Sequence, residues 1–175
     1  VPGVSQYLHP YDENHIIGVG KDAIAIDEQG REFALFQGVK ISLFDVSDVA
    51  NPKEKSSYNI GSRGTESEVL QDHKAFLSSK EKNLLVIPIT LLEIDRSKPQ
   101  SDERFAYGEY KFSGAYVFQL DLDNGFVLKG IVKHHEKTEQ EPYFYGHGVR
   151  RSMYIDDVLY TLSERLLSMN SLDNL

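Results

Sequence analysis

Apolar and polar residues alternate through Gly38-Val39-Lys40-Ile41-Ser42-Leu43-Phe44-Asp45-Val46-Ser47-Asp48, and the same cadence returns twice in weaker form. Gly114-Ala115-Tyr116-Val117-Phe118-Gln119-Leu120-Asp121 is the second copy, and Leu167-Ser168-Met169-Asn170-Ser171-Leu172-Asp173 is the third. A period of two sends successive side chains to opposite faces of an extended strand. Each copy then runs into an Asp, Asn or Ser turn, where short polar side chains bond the nearby backbone.

Similar runs flank each copy. Ile16–Val19, Ile41–Val46 and Ser56–Ile60 read as strands, with a turn at Asp48-Val49-Ala50-Asn51-Pro52. The order recurs as Lys74–Leu77, a polar hairpin Ser78–Asn83, Leu84–Ile87, Ala115–Leu120, a turn at Asp121–Gly125, and Phe126–Val132. A third round has Arg151–Ile155, a tight Asp156-Asp157 turn, Val158–Leu162 and Leu166–Leu172. Helical signal is confined to one short turn over Glu66–Leu70.

Ile16, Leu84 and Val158 open the second strand of each round, 68 and then 74 residues apart. A bare four-stranded blade takes about 40–50 residues, so the surplus must sit in insertions, here Lys21–Gln37, Glu93–Ser113 and Lys133–Gly148. A four-stranded antiparallel unit repeated in tandem predicts an all-β chain of β-propeller blades. The units run roughly over 4–61, 72–133 and 149–175, the last one strand short. Fewer than three blades would leave apolar end faces uncovered, so the chain is expected to be part of a larger propeller or to close a ring by self-association.

Composition narrows the partners. With 40% apolar and 26% charged residues the chain has the makeup of a folded domain. Its net charge of -8 opposes phosphate backbones, so no nucleic-acid partner is expected, nor attraction to an anionic membrane surface. Direct membrane insertion is not expected either: the longest apolar stretch, Leu84–Leu92, is short and broken by Pro88 and Thr90. Without cysteine there is no disulfide, thiol nucleophile or thiolate metal ligand. Val1-Pro2-Gly3-Val4 carries neither an initiator Met nor the regions of a signal peptide, which suggests a piece of something longer.

Longer ordered stretches are familiar. Tyr7-Leu8-His9-Pro10-Tyr11-Asp12-Glu13-Asn14-His15-Ile16-Ile17-Gly18-Val19-Gly20-Lys21-Asp22 resembles a signature of bacterial and archaeal secreted proteins with a C-terminal β-propeller domain. Gly38–Asp48 with Asn51-Pro52-Lys53-Glu54, the run Gly61–Glu68, Asp72–Phe76 and Asn83–Pro88 are similar to the same family. The resemblance implies an extracellular or cell-surface location and a complete ring of which this chain is a part. It brings no catalytic residues with it.

The richest chemistry lies just before the second unit's first strand, which in a propeller lines the central channel. Glu66, Glu68, Asp72, His73 and Lys74, with Arg150 and Arg151 at the comparable place in the third unit, are the candidate binding residues. Carboxylates and an imidazole at a channel mouth suit a polar ligand, a cation or general acid–base work. The same groups also serve as hydrogen-bond and ion-pair partners between blades.

Calcium is the candidate cation, at the carboxylates Asp22, Asp27 and Glu28 of the loop over residues 21–30. Asp121-Leu122-Asp123-Asn124-Gly125 lacks the spacing and final Glu of an EF-hand and reads as a turn. His134, His135 and His147 match no zinc spacing and are expected as exposed loop histidines. Phe105, Tyr107, Tyr110, Phe112, Tyr143, Phe144 and Tyr145 cluster in the insertions, as recognition surfaces and small loop cores both do. The sequence therefore points first to a non-catalytic extracellular binding or scaffolding propeller for an unidentified protein or polar ligand. The competing reading is a metal-dependent or His-based hydrolase or lyase at the channel mouth, with His73 as base or ligand and Asp72 or Glu68 orienting it.

Overall fold

Strand formation follows the alternation closely in the computed structural model of the chain, which describes residues 3–28, 30–97, 102–138, 140 and 145–175. Among the described residues, eleven strands form three antiparallel sheets, two of four strands and one of three, each a simple meander. The chain divides into two compact units, Val1–Glu66 with Leu91–Glu109, and Ser67–Thr90 with Tyr110–Leu175.

The first unit holds the sheet β1 (Val4–Pro10), β2 (His15–Glu28), β3 (Arg31–Asp45) and β4 (Lys53–Ile60). Ile17, Val19, Val39, Ile41, Leu43 and Ile60 are fully buried, and the register Ile17↔Leu43, Val19↔Ile41 and Val39↔Ile60 sets them on one face. The stretch 21–37, expected as an insertion loop, instead prolongs β2 and β3 into a long hairpin paired from Ala23↔Phe36 to Glu28↔Arg31. Its two apolar runs, Ala23–Ile26 and Phe33–Phe36, flank a polar turn ending in Gly30, which is a hairpin pattern in its own right. The excursion 91–109 is pinned to the turn at 61–65: Thr65 Oγ1 donates to Leu92 O at 2.9 Å and accepts from Leu92 N at 3.0 Å.

The second unit holds β5 (Leu77–Ser79), the bulk of β6 (Leu84–Glu93) and β7 (Glu109–Asp121), β8 (Gly125–Glu136), and the three-stranded sheet β9 (Arg151–Ile155), β10 (Val158–Leu162) and β11 (Leu167–Ser171). The strand expected over Lys74–Leu77 starts only at Leu77, because Asp72 caps a 3-10 turn over His73–Ala75. A second 3-10 turn, Glu68–Leu70, falls where a single helical turn is expected. Leu84, Val86, Ala115, Val117 and Val132 of the four-stranded sheet pack against Leu159 of β10, with Leu77, Tyr154, Leu172 and Leu175 around them.

Gly38 on β3 and Gly114 on β7, each in the third strand of a four-stranded sheet, have a steric duty. A Cβ on Gly38 would sit 2.3 Å from Ile60 O, and one on Gly114 would sit 2.1 Å from Val132 O. No side chain is compatible with so close an approach of the fourth strand. The glycine that opens the first two copies of the repeat is therefore structural.

Candidate functional site

At Gly114 the ladder between β7 and β8 slips. Ser113 pairs with His135 and Gly114 with Lys133, which leaves His134 as the extra residue of a β-bulge. The slip breaks the strict alternation of β8, and both His134 and His135 are 7% exposed. The expectation of exposed loop histidines is thus corrected for this pair: they are strand residues held inward by a bulge. Each is fixed by a different neighbour. His134 Nε2 lies 2.8 Å from Thr161 Oγ1 on β10, and His135 Nδ1 lies 2.7 Å from Tyr110 Oη on β7.

His147 completes the cluster from the turn over residues 145–148. Its ring centroid is 4.6 Å from that of His135. Burial lowers the pKa of His134, and the nearby charge of His147 lowers it further. Burial likewise raises that of Tyr110, against an opposing hydrogen bond to Ser113. Nδ1 of His134 and Nδ1 of His147 are buried and without a hydrogen-bond partner among the described residues.

The turn carrying His147 also forms one wall of a cleft of about 550 Å³, lined by Glu68, Thr90, Tyr145, Gly146, Gly148, Arg150 and Glu164. Hydroxyls link this cleft to the cluster: Thr90 Oγ1 is 3.3 Å from Ser113 Oγ, which accepts from Tyr110 Oη at 3.3 Å. Arg150 Nη2 donates to Glu164 Oε1 at 2.5 Å. Tyr145 presents its ring to solvent at 86% exposure.

The residues singled out from sequence fall in several places. Glu68 and Arg150 share the cleft. Asp72 bonds Lys74 N at 3.0 Å and Arg151 Nη2 at 2.5 Å. Its carboxyl is held below the usual range by the Lys74 amide first and Arg151 second. His73 and Lys74 are exposed on the 3-10 turn. Glu66 belongs to the other unit, where it accepts from Lys21 Nζ at 2.8 Å.

Asp22 and Asp27 stand on β2, five residues apart, or roughly 16 Å along an extended strand. The side chain of Glu28 lies outside the described residues, as do Tyr143 and Phe144. Among the described residues, no three His, Asp or Glu side chains are placed to hold one metal ion. Asp121–Gly125 is the expected turn, with Asp121 Oδ1 accepting from Asp123 N at 2.9 Å and Asn124 N at 2.7 Å.

Sequence reasoning missed Glu164, Thr90 and the inward histidines. The signal for the last was a consecutive His pair facing a strand whose alternation restarts at a glycine.

A family model described as a beta propeller domain matches residues 1–175. An uncharacterised protein of Archaeoglobus fulgidus is 41% identical over 169 residues, covering 97% of this chain and 19% of the relative. An uncharacterised protein of Methanocaldococcus jannaschii is 30% identical over 173 residues, covering 99% of this chain and 20% of the relative. The chain spans about a fifth of the length of these curated relatives. No solved structure matches it.

Proposed function

The chain belongs to the beta propeller domain family, and on that footing we propose that it is part of a non-catalytic binding module whose polar ligand seats in the cleft bounded by Glu68, Thr90, Tyr145, Arg150 and Glu164. The observation that carries this reading is the cleft itself. Its volume of about 550 Å³ is in the range of small-molecule sites. An exposed tyrosine offers a flat apolar face, and Arg150 and Glu164, already paired, offer fixed donors and acceptors beside it. Such a mix recognises hydroxyl-rich or peptide-like groups by stacking and hydrogen bonding together. The resemblance of Tyr7–Asp22 to exported propeller proteins supports a site of action outside the cell or on its surface.

The test is equilibrium binding of the protein to panels of oligosaccharides and peptides, repeated with Tyr145→Ala and Arg150→Ala. Binding that falls at least about tenfold in both variants supports the reading, since hot-spot aromatic and Arg truncations cost that much. Binding to every detected ligand that ignores both substitutions overturns it. The hydrolase or lyase reading is expected from sequence at His73, which is exposed on its 3-10 turn; a different pair, Tyr110 and His135 in contact at 2.7 Å, is the observation that favours such chemistry. A hydrolase screen showing turnover abolished by His135→Asn would favour it instead.

A further inference from the structure

Glu68 brings a carboxylate to the cleft from a place fixed by its neighbours. Ser67 caps the 3-10 turn over Glu68–Leu70 by accepting from Val69 N at 3.3 Å, and Ser67 and Val69 are both buried. Glu68, between them, is half-buried and lines the cleft. Its backbone is anchored by two amides, Gln71 N at 3.0 Å and Asp72 N at 2.8 Å, which both donate to Glu68 O. Its side chain, in contrast, has no hydrogen-bond or ion-pair partner among the described residues. A half-buried anion has lost part of its hydration, and here no ion pair within the described residues replaces it.

The basic groups nearby stand as follows. Arg150 lines the cleft but is paired with Glu164, Nη2 to Oε1 at 2.5 Å, so these two charges offset each other. Arg151, the next residue, is paired with Asp72 at 2.5 Å. His73 and Lys74 are exposed on the following 3-10 turn, outside the lining. Arg165 stands beside Gly146, its Nε 3.2 Å from where a Cβ would be, and is not one of the lining residues either. The lining therefore carries one net negative charge, on Glu68. Thr90 adds a hydroxyl to the same lining, and Tyr145 adds an exposed ring, whose face attracts a cation within about 6 Å of its centre.

We propose that the cleft selects a ligand carrying a primary ammonium group, as a lysyl side chain or a small amine does, with the charge seated on Glu68 and the methylene stem laid on the ring of Tyr145. The proposal rests on the reading of this cleft as a ligand site and names what that ligand carries. An ammonium is a compact charge with three donors on a flexible apolar stem. The Glu68 carboxylate and the Thr90 hydroxyl supply acceptors for it, and the tyrosine face covers the stem. A bare metal ion is a poorer fit, because among the described residues no three His, Asp or Glu side chains are placed to hold one. The net charge of -8 adds a general pull on cations, which the cleft then makes local.

The test is an NMR titration of the full chain, read at the amides of Glu68, Gly146, Gly148 and Arg150. The probes are the peptides acetyl-Gly-Lys-Gly-amide and acetyl-Gly-Gln-Gly-amide and the free amine n-butylammonium, each at up to about 10 mM. The lysyl peptide is expected to bind at least about fivefold more tightly than the glutaminyl one, and Glu68→Gln to remove that difference. Tyr145→Phe keeps the ring and is expected to keep the binding, which Tyr145→Ala loses. Glu66→Gln removes the same charge outside the cleft, where the carboxylate is already matched to Lys21, and is expected to leave affinity within about twofold. Butylammonium that binds as well as the lysyl peptide assigns the site to free amines, and weaker binding assigns it to lysyl side chains; both support the proposal. No lysyl binding at about 10 mM, equal affinity for the two peptides, or equal effects of Glu68→Gln and Glu66→Gln overturns it. Those results leave the ligand reading standing wherever Tyr145→Ala and Arg150→Ala still weaken binding of another ligand.

Discussion

His134 Nε2 and Thr161 Oγ1, 2.8 Å apart, join β8 to β10 by a hydrogen bond between two buried side chains. Removing the hydroxyl leaves the ring nitrogen without this partner in a place closed to water. Thr161→Val keeps the shape and loses the bond, and is expected to cost about 1–3 kcal/mol in urea unfolding at neutral pH. A change near zero would mean that the contact contributes nothing to joining the sheets.

The same histidine makes stability depend on pH. Burial holds its folded pKa below the ordinary value, so as the pH falls through about 6.5 the unfolded chain takes up this proton first. The folded state therefore has its full stability from this group above that point. It loses stability progressively on acidification, until the pH drops below the folded pKa and both states carry the proton. His9 on β1, lowered by burial as well, adds in the same direction. Unfolding free energies measured between about pH 8 and pH 5 are expected to decline, and His134→Gln should make the decline shallower without abolishing it. Identical pH profiles for the two proteins would refute this assignment.

Gly114 is where the bulge closes. A methyl group there would meet Val132 O at 2.1 Å, so the backbone must part or the bulge must shift. Gly114→Ala is expected to cost about 1–3 kcal/mol, as overpacking does, and to move the His134 and His135 resonances. Gly148, which has nothing within 4 Å of an added Cβ, is the control, with a change within about 0.5 kcal/mol. Equal effects at the two positions would show that the close approach is not what selects glycine at Gly114.

These positions also show how far the sequence is legible. Strands such as Ile41–Asp45 and Val158–Leu162 are visible because short runs rich in β-branched and other apolar residues end at turn residues. The second strand of each sheet begins at His15, Leu84 and Val158, at or within one residue of the sequence-based expectation. The Lys21–Gln37 hairpin is missed because its Gly and charged turn residues resemble a loop, while its apolar runs are short. The inward histidines are missed for a different reason. A bulge is decided by which residue fails to pair, and that depends on the partner strand 20 or so residues away along the chain. Polar residues that come together across elements, such as Asp72 with Arg151 or Arg150 with Glu164, leave no local pattern to read.

Leu159, fully buried among Leu84, Val86, Ala115, Val117 and Val132, is the buried apolar side chain of β10 in the cluster where the third sheet meets the second. Leu159→Ala is expected to cost about 2–5 kcal/mol and to raise exchange in β9–β11 before it does so in β6–β8. Uniform loss of protection across both sheets would show that they unfold as one body.

The opposite face of that third sheet is apolar and uncovered. Met153, Ile155, Leu162, Leu167 and Met169 are 46–65% exposed, and the register places Met153 and Met169 on either side of Tyr160, Ile155 across from Val158, and Leu167 across from Leu162. Successive strands thus present a continuous patch, while Leu159 and Thr161 between them point to the buried side. Apolar patches of this kind on a free chain drive association. At concentrations of about 10 μM and above, the 175-residue chain is expected to self-associate in sedimentation velocity, and the double substitution Met153→Lys with Met169→Lys is expected to return it to a monomer with unchanged far-ultraviolet circular dichroism. Lysine at these sites places charge where a second sheet would pack, without touching the Leu159 face. A wild-type chain that stays monomeric, or a double variant that associates as strongly as the wild type, would show that this face does not govern what the sheet meets.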